Sequence, residues 1–251
     1  MSASNERWYV PDWSVPSRVH CLLTTRRGGV SRPPYQGLNL STHVGDDADA
    51  VAANRRSLAA ALPGVPCWLD QVHGTTVIEV TSARGAVPPV ADAAFSRECG
   101  QVCVVMTADC LPVLFCDRAA TVVAIAHAGW RGLQAGVLEA TMAAMQVAAA
   151  DVQAYFGPAI GPSAFEVGDE VRDVFLATNS ALAAAFTARI SGDGRNKWLA
   201  NLYLLARLRL QALGVGAIDG GNACTFSDQA RYFSFRRDGV TGRMASLIWL
   251  A

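Results

Sequence analysis

The sequence lacks an excess of charge of either sign. Its 251 residues contain 21 basic and 21 acidic side chains, so the formal net charge at pH 7 is zero. A protein whose main partner is nucleic acid or an anionic membrane usually carries a basic excess. The charge balance therefore predicts no nucleic-acid partner and no membrane partner.

Long apolar runs are also missing. Runs such as 121–128 and 140–150 are far shorter than the roughly 20 residues that a membrane-spanning helix needs. The first twenty residues contain Glu6 and Asp12 and no apolar core, so they do not resemble a signal peptide. The seven cysteines are odd in number and include no Cys-x-x-Cys pair, which favours free thiols over disulfides in a chain of this length. We expect a cytoplasmic protein.

The pattern of apolar residues indicates an α+β fold with mixed sheets flanked by helices. Short runs rich in valine and leucine predict strands, and longer stretches with helical spacing predict helices. Because the two types do not alternate regularly, a doubly wound sheet is disfavoured. No change in composition divides the chain, so we expect one compact domain over 1–251, with the residues before 19 peripheral. Strands are predicted at 19–24, 67–69, 76–80, 102–106, 111–116, 121–127, 154–156, 215–218, 232–235 and 245–250, helices at 47–62, 133–149, 169–177, 182–188 and 199–213, and surface loops at 84–90 and 191–197.

Three side chains form the main candidate site. The chain has only four histidines, and His73 and His127 each stand beside glycines at the end of a predicted strand, while Cys110 lies between them at another strand end. Two imidazoles and a thiolate are ligands that zinc prefers, and three protein ligands leave a fourth position for water or substrate. Their separations of 37 and 17 residues match no short zinc signature. A metal-free Cys110–His127 dyad therefore stays open as an alternative.

Five further residues are weaker candidates. Asp109, next to Cys110, can orient a ligand, act as a general base or cap a turn. His43 and Arg26 are candidates for holding an anion, as is Arg131 at a predicted helix start, where backbone N–H groups favour anions. Arg237 belongs to an arginine cluster near the C-terminus, together with Arg236 and Arg243. For each arginine, an ordinary solvated side chain is the alternative.

Nine segments between about residue 19 and the C-terminus carry a family resemblance. They are TTRRGGVS, LNLSTHVGDD, QVHG, TADCLPVLFCD, AHAGWRGLQAGVL, GPAIGPSAFEVGDEV, ANLYLLARLRLQALGV, CTFSD and YFSFRRDGVTGRMASLIWL. Together they resemble the YfiH-type family, which is also called the multicopper polyphenol oxidase or laccase-domain family and, more recently, a purine nucleoside phosphorylase family. The last part of the resemblance is similar to the bacterial peptidoglycan-editing-factor branch.

The resemblance places the family's metal-binding triad on His73, Cys110 and His127. It implies a compact α+β fold that is similar to the catalytic domain of a deamidating bacterial toxin with a Cys–His pair. It also implies phosphorolysis of adenosine, inosine, guanosine and methylthioadenosine to a free base and ribose 1-phosphate, with adenosine deamination as a further activity. In that hypothesis zinc polarises the substrate, an arginine such as Arg26 holds phosphate, and His43 and Asp109 are the candidates for moving protons.

Two other enzymatic functions stay open, and a metal-tuned binding protein without catalysis is a further alternative, against which the open coordination position argues. Copper-dependent phenol oxidation needs several coppers, and four histidines without a His-x-His pair are too few to hold them, although a single copper can bind the same triad. A cysteine amidase would use Cys110 as nucleophile and His127 as base, and would cut an amide of a peptidoglycan precursor. The amidase hypothesis predicts activity that survives chelation, whereas the phosphorylase hypothesis predicts activity that chelation removes.

Overall fold

The computed structural model describes residues 7–83, 85, 87–190 and 196–251. These residues form fourteen strands, six α-helices and two 3-10 helices, at Ala149–Asp151 and Ser180–Ala185. The strands are β1 (Trp8–Tyr9), β2 (Val19–Thr24), β3 (Pro66–Cys67), β4 (Val77–Glu79), β5 (Ala93–Ser96), β6 (Val102–Thr107), β7 (Leu111–Asp117), β8 (Val123–Ala128), β9 (Val152–Phe156), β10 (Glu166–Val167), β11 (Phe186–Ile190), β12 (Asn196–Ala200), β13 (Ala217–Gly220) and β14 (Met244–Leu250). The helices are α1 (Ala48–Ala59), α2 (Trp130–Ala135), α3 (Val137–Met145), α4 (Asp169–Thr178), α5 (Leu202–Ala212) and α6 (Phe235–Asp238).

The strands form three sheets. A five-stranded sheet has the order β1-β2-β14-β6-β3, a six-stranded sheet has the order β13-β9-β7-β8-β5-β4, and a small sheet has the order β10-β12-β11. The two large sheets are mixed, because β3–β6, β4–β5 and β9–β13 are parallel pairs and the other pairs are antiparallel. The predicted α+β class with mixed sheets and flanking helices is confirmed.

The middle of the six-stranded sheet is buried on both faces. Every residue of β7 and β8 is buried, which explains why these strands are continuous apolar runs rather than alternating ones. Phe115 points into the core shared with the helices, whereas its neighbour Leu114 points into the core shared with the five-stranded sheet. A strand packed on both faces is a rigid support for residues at its ends.

Some predicted elements differ from the structure for identifiable reasons. The helix predicted at 133–149 is two helices, because Gly136 adopts φ 104° between α2 and α3. The helix predicted at 199–213 begins only at Leu202, where the Asn201 side chain caps it by accepting from the Leu204 N–H. The helix predicted at 182–188 is a 3-10 turn followed by β11. The strand predicted at 232–235 is wrong: residues 232–234 have no regular secondary structure, and α6 begins at Phe235 because the Ser234 side chain caps it by accepting from the Arg237 N–H.

Other differences lie at the margins of the predicted elements. Residues 7–18 are not peripheral throughout, because Trp13 is buried in the core and β1 pairs with β2. Within the predicted loops, Arg84, Ala86 and 191–195 lie outside the described residues, and Lys197 belongs to β12. No helix in the described parts of the chain is long and apolar enough to cross a membrane.

Candidate metal centre and its cleft

His73, Cys110 and His127 lie together in the structure. Their ligand atoms all lie within 4.8 Å of one another, and His73 Nε2 is 3.7 Å from Cys110 Sγ. The two imidazole rings meet edge to face, with centroids 4.7 Å apart. His127 is buried while His73 is exposed, so the cluster opens toward solvent on one side. Two nitrogens and one sulfur at this spacing can hold a metal ion.

Strand register brings two of these residues together. Cys110 directly precedes β7, and His127 is the next-to-last residue of β8, paired with Pro112. Because β7 and β8 are antiparallel, the start of one and the end of the other share an edge of the sheet. His73 comes from the loop between β3 and β4 and completes the cluster.

One buried carboxylate organises both histidines. Asp92 Oδ1 accepts hydrogen bonds from His127 Nδ1 at 2.8 Å and from the His73 N–H at 2.9 Å. Its other oxygen, Oδ2, accepts from the N–H groups of Gly74 at 2.6 Å and Val72 at 3.2 Å. Asp92 is fully buried. The carboxylate therefore holds the His73 loop in place and orients the His127 ring so that Nε2 faces the cluster.

The charges of these groups depend on one another. Burial alone raises the pKa of Asp92, but the His127 hydrogen bond and the backbone N–H groups outweigh it and hold the pKa below its ordinary value. Burial also disfavours the Cys110 thiolate, yet attraction to His127 and His73 lowers the pKa of Cys110 to about 6. Burial opposes the charged form of His127, while Cys110 and Asp92 raise the pKa of His127 to about 9. Without metal, the attraction between the two groups therefore favours a Cys110 thiolate beside a His127 imidazolium.

The backbone of the site is unusual at two non-glycine positions. His73 has φ 60° and Asp109 has φ 100°, both in the left-handed region. Such conformations persist only where surrounding contacts enforce them. Gly129 has a different role, because a Cβ there would lie 2.8 Å from His73 Cδ2 and 2.9 Å from Cys110 Sγ. The cluster therefore requires a glycine at this position.

Asp109, next to Cys110, is hydrogen-bonded to residues of the C-terminal segment. Its Oδ1 accepts from Thr225 Oγ1 and its Oδ2 accepts from the Arg236 N–H, each at 2.6 Å. Asp109 is buried. Because both carboxylate oxygens are already occupied, the orienting role fits Asp109 better than that of general base.

A cleft of about 550 Å³ opens beside the cluster. This volume lies in the range of small-molecule sites. The three candidate ligands line the cleft together with His43 and Asp109. Three aromatic side chains, Trp130, Phe165 and Phe235, and three arginines, Arg131, Arg236 and Arg243, also line it.

The structure brings some of the weaker candidates into the cleft and leaves others out. His43 and Arg131 line it, and neither the His43 ring nor the Arg131 guanidinium has a hydrogen-bond or ion-pair partner among the described residues. Arg26 does not line the cleft, because its guanidinium stacks on Phe233 and donates to the Gln229 carbonyl. Arg237 is also outside the cleft lining. Its guanidinium donates to three backbone carbonyls, those of Thr225, Phe226 and Tyr232, and pairs with Asp238.

Sequence reasoning missed Asp92. The available signal is a lone acidic residue between alanines in an apolar stretch, VADAAF, because a charge in such a place needs several hydrogen bonds. In the sequence, Arg243 stands out only as one member of the arginine cluster near the C-terminus. Its place beside the triad depends on the antiparallel pairing of β14 with β6, which residue patterns do not reveal.

Fold and site together define a mixed α/β domain with a His–Cys–His centre at the mouth of a cleft. A family model described as multi-copper polyphenol oxidoreductase laccase matches residues 20–251. The chain belongs to this family, the laccase-like YfiH family, and the resemblance seen in the sequence is confirmed.

Solved and curated relatives cover nearly the whole chain. A purine nucleoside phosphorylase of Pseudomonas aeruginosa is 53% identical over 243 residues, which is 97% of this chain and 98% of the relative. The purine nucleoside phosphorylase YfiH of Escherichia coli is also 53% identical over 243 residues, at 96% and 98% coverage. The crystal structure of Neisseria meningitidis protein NMB0706 matches with a TM-score of 0.91 and 50% identity, covering 98% of this chain and 99% of that one.

Proposed function

We propose that the protein is a zinc-dependent purine nucleoside phosphorylase of the cytoplasm. The observation that carries the proposal is a nucleoside-sized cleft that joins the His–Cys–His cluster to aromatic rings and arginines. The names of relatives at 53% identity support the same activity. The substrates we propose are inorganic phosphate with adenosine, inosine, guanosine or methylthioadenosine.

The reaction exchanges one bond at the ribose. The bond from C1′ to the purine nitrogen breaks, and its electron pair leaves with the base, which takes up a proton. A phosphate oxygen forms the new bond to C1′, giving ribose 1-phosphate. The rings of Trp130 and Phe235 offer apolar surfaces against which a base can pack. We assign the proton transfer to His43, because its ring lines the cleft and has no partner among the described residues.

His73, Cys110 and His127 fit zinc by the type and convergence of their donor atoms. When bound there, zinc supplies a Lewis acid that polarises a substrate oxygen. Asp92 fixes the tautomer of His127, leaving Nε2 as the donor atom. We assign Asp109 to positioning rather than to proton transfer. We also propose adenosine deamination in the same cleft, in which a water oxygen replaces the C6 amino group and ammonia leaves.

The test is phosphate-dependent release of hypoxanthine from inosine by the purified protein. We expect release to need both phosphate and zinc, to stop on chelation and to return when zinc is added. His73→Ala should abolish release, whereas the control His20→Ala should not, because His20 stacks on Trp249 and is not among the residues that line the cleft. If the zinc-loaded protein releases no base, the proposed phosphorylase activity is wrong.

A second candidate is a cysteine amidase acting on a peptidoglycan precursor. The observation in its favour is the chain of contacts from Cys110 to His127 to Asp92, since a nucleophile, a base and an orienting carboxylate in that order form a thiol-hydrolase triad. Amide cleavage that persists in chelator and stops after alkylation of Cys110 would support it. Cleavage that needs metal would contradict it.

Multicopper oxidation is disfavoured by the supply of ligands. The triad is the one group of three or more metal-ligating side chains found within the described part of the chain. The remaining histidines, His20 and His43, do not belong to that group. A single copper in the triad is compatible with its donors, since copper binds nitrogen and sulfur sites tightly. Metal analysis of the purified protein distinguishes zinc from copper.

A further inference from the structure

The charges that line the cleft do not cancel. Three arginines, Arg131, Arg236 and Arg243, line it, against two acidic residues, Asp70 and Asp109. Asp109 already accepts a hydrogen bond on each carboxylate oxygen. None of the three arginines forms an ion pair within the described residues. The cleft therefore offers an excess of positive charge to its ligand.

Arg243 is the most firmly held of these arginines. Its backbone N–H donates to Asn39 Oδ1, and its Nη1 donates to the carbonyls of Thr241 and Gly242, at 2.8 and 3.0 Å. The guanidinium is partly buried and lies 5.8 Å from the centre of the Phe235 ring. These contacts use one nitrogen and leave Nε and Nη2 without a partner in the described structure.

Two features favour an anion as the missing partner. Cys110 and Asp109 are close enough to favour the charged form of Arg243, but neither forms an ion pair with it. A partly buried guanidinium that is not paired with an anion is costly, and a bound anion would supply that partner. The two unused nitrogens are also neighbours on one edge of the guanidinium, which matches two oxygens of a tetrahedral oxyanion. Arg236 adds a second guanidinium to the lining, with its Nη1 held by the Glu166 carbonyl.

We propose that Arg243, assisted by Arg236, forms the subsite that binds inorganic phosphate. The inference rests on the proposed phosphorolysis and replaces Arg26 and Arg237 as phosphate ligands. Arg243 is then a specificity residue for the second substrate rather than a residue that acts on the base.

Steady-state kinetics with inosine and phosphate test the subsite. In Arg243→Met we expect the KM for phosphate to rise about ten- to hundredfold, and the KM for inosine to stay within about twofold. Arg243→Lys keeps the charge but loses the planar fork, so a smaller rise in the phosphate KM is expected. The matched control is Arg56→Met, because Arg56 is exposed on α1 and is not among the residues that line the cleft.

A purely structural role for Arg243 predicts a different result. It predicts a lower melting temperature and equal changes in the KM of both substrates. A phosphate KM that is unchanged in folded, zinc-loaded Arg243→Met overturns the subsite. If Arg243→Met fails to fold, the phosphate KM is measured in Arg243→Lys and in Arg236→Met, a variant at an exposed position. Unchanged phosphate KM values in both variants overturn the proposed subsite.

Calorimetric titration with inorganic phosphate alone separates this inference from the proposed function. The titration uses zinc-loaded protein without nucleoside. Phosphate binding that is weakened in Arg243→Met supports the subsite even if no hypoxanthine is ever released. Phosphate binding that is absent from the wild-type protein, or equal in the wild-type protein and Arg243→Met, overturns the subsite even if hypoxanthine is released.

Discussion

Replacing Asp92 with asparagine should destabilise the fold and weaken metal binding, although Asp92 is not itself one of the candidate ligands. The carboxylate accepts four hydrogen bonds, two on each oxygen. An asparagine has one carbonyl oxygen, so whichever way the amide is turned, an NH2 group faces two of the four donors. Hydrogen bonds to a charged acceptor contribute about 1.5–3 kcal/mol each. The loss of two predicts a destabilisation of about 3–6 kcal/mol, a large share of the roughly 5–15 kcal/mol typical of a folded domain.

Asp92→Asn should also lower the affinity for metal, because it removes hydrogen bonds that hold the two histidines. Two of the four hydrogen bonds fix the histidines: one comes from the backbone N–H of His73 and the other from the ring Nδ1 of His127. Removing the partner that orients a histidine ligand typically reduces metal affinity about 10- to 100-fold. Urea unfolding of the metal-free protein measures the stability change. Competition with a chromogenic chelator measures the zinc affinity of the folded variant.

A buried carboxylate elsewhere provides the matched control. Asp117 lies at the other end of β7 from Cys110 and accepts three hydrogen bonds, from the Thr121 N–H, the Thr121 hydroxyl and the Val122 N–H. Asp117→Asn should therefore lower stability while leaving zinc affinity unchanged. Equal zinc affinity in wild-type and Asp92→Asn protein would refute the assignment of Asp92 as the residue that orients the ligands.

Two further predictions concern Cys110 and its surroundings. In the metal-free protein, alkylation of Cys110 by iodoacetamide, followed by mass spectrometry, should rise through about pH 6, because His127 and His73 outweigh burial and stabilise the thiolate. At pH 7 about nine-tenths of the thiol is then ionised. His127→Ala should move the midpoint of the alkylation profile to higher pH. A midpoint above pH 8 in the wild-type protein would contradict this account. Gly129→Ala should reduce zinc affinity in the chelator assay, because the new methyl group would lie 2.8 Å from His73 Cδ2. The control Gly216→Ala should leave zinc affinity unchanged, because a Cβ at Gly216 meets nothing within 4 Å. Equal zinc affinities of Gly129→Ala and the wild-type protein would contradict the steric argument.

Sequence patterns predicted the strands best where burial is continuous. The runs at 102–106, 111–116 and 121–127 are close to the bounds of β6, β7 and β8, because strands buried on both faces leave an uninterrupted apolar signal. β5 was missed, since its first two residues are alanines and carry little β propensity. The division of the predicted 133–149 helix depends on the left-handed Gly136, and glycine alone does not reveal its φ.

The candidate site was predicted through its ligands but not through the residues that hold them. His73, Cys110 and His127 stand out in the sequence because they are rare residue types beside glycine or at a strand end, and the resemblance to a known family places its metal-binding triad on the same three residues. The carboxylates that fix their positions accept hydrogen bonds from residues far away in the sequence. Asp92 accepts from the His73 N–H, and Asp109 accepts from the Thr225 hydroxyl and the Arg236 N–H. Those contacts exist only once β7 and β8 are paired and the C-terminal segment has returned to the same edge.

The two buried carboxylates explain why the strained positions of the site are stable. Asp92 accepts the His73 N–H, which belongs to a residue at φ 60°, and Asp109 is itself at φ 100° with both oxygens engaged. In each case charge-assisted hydrogen bonds compensate a backbone conformation that costs about 1–3 kcal/mol. The ligand geometry is therefore set by the folded protein before any metal arrives, because these hydrogen bonds already hold it in place. The centre should accordingly bind metal as a preformed site rather than fold around it, so removing zinc should abolish activity while the far-ultraviolet circular dichroism spectrum stays that of the folded protein.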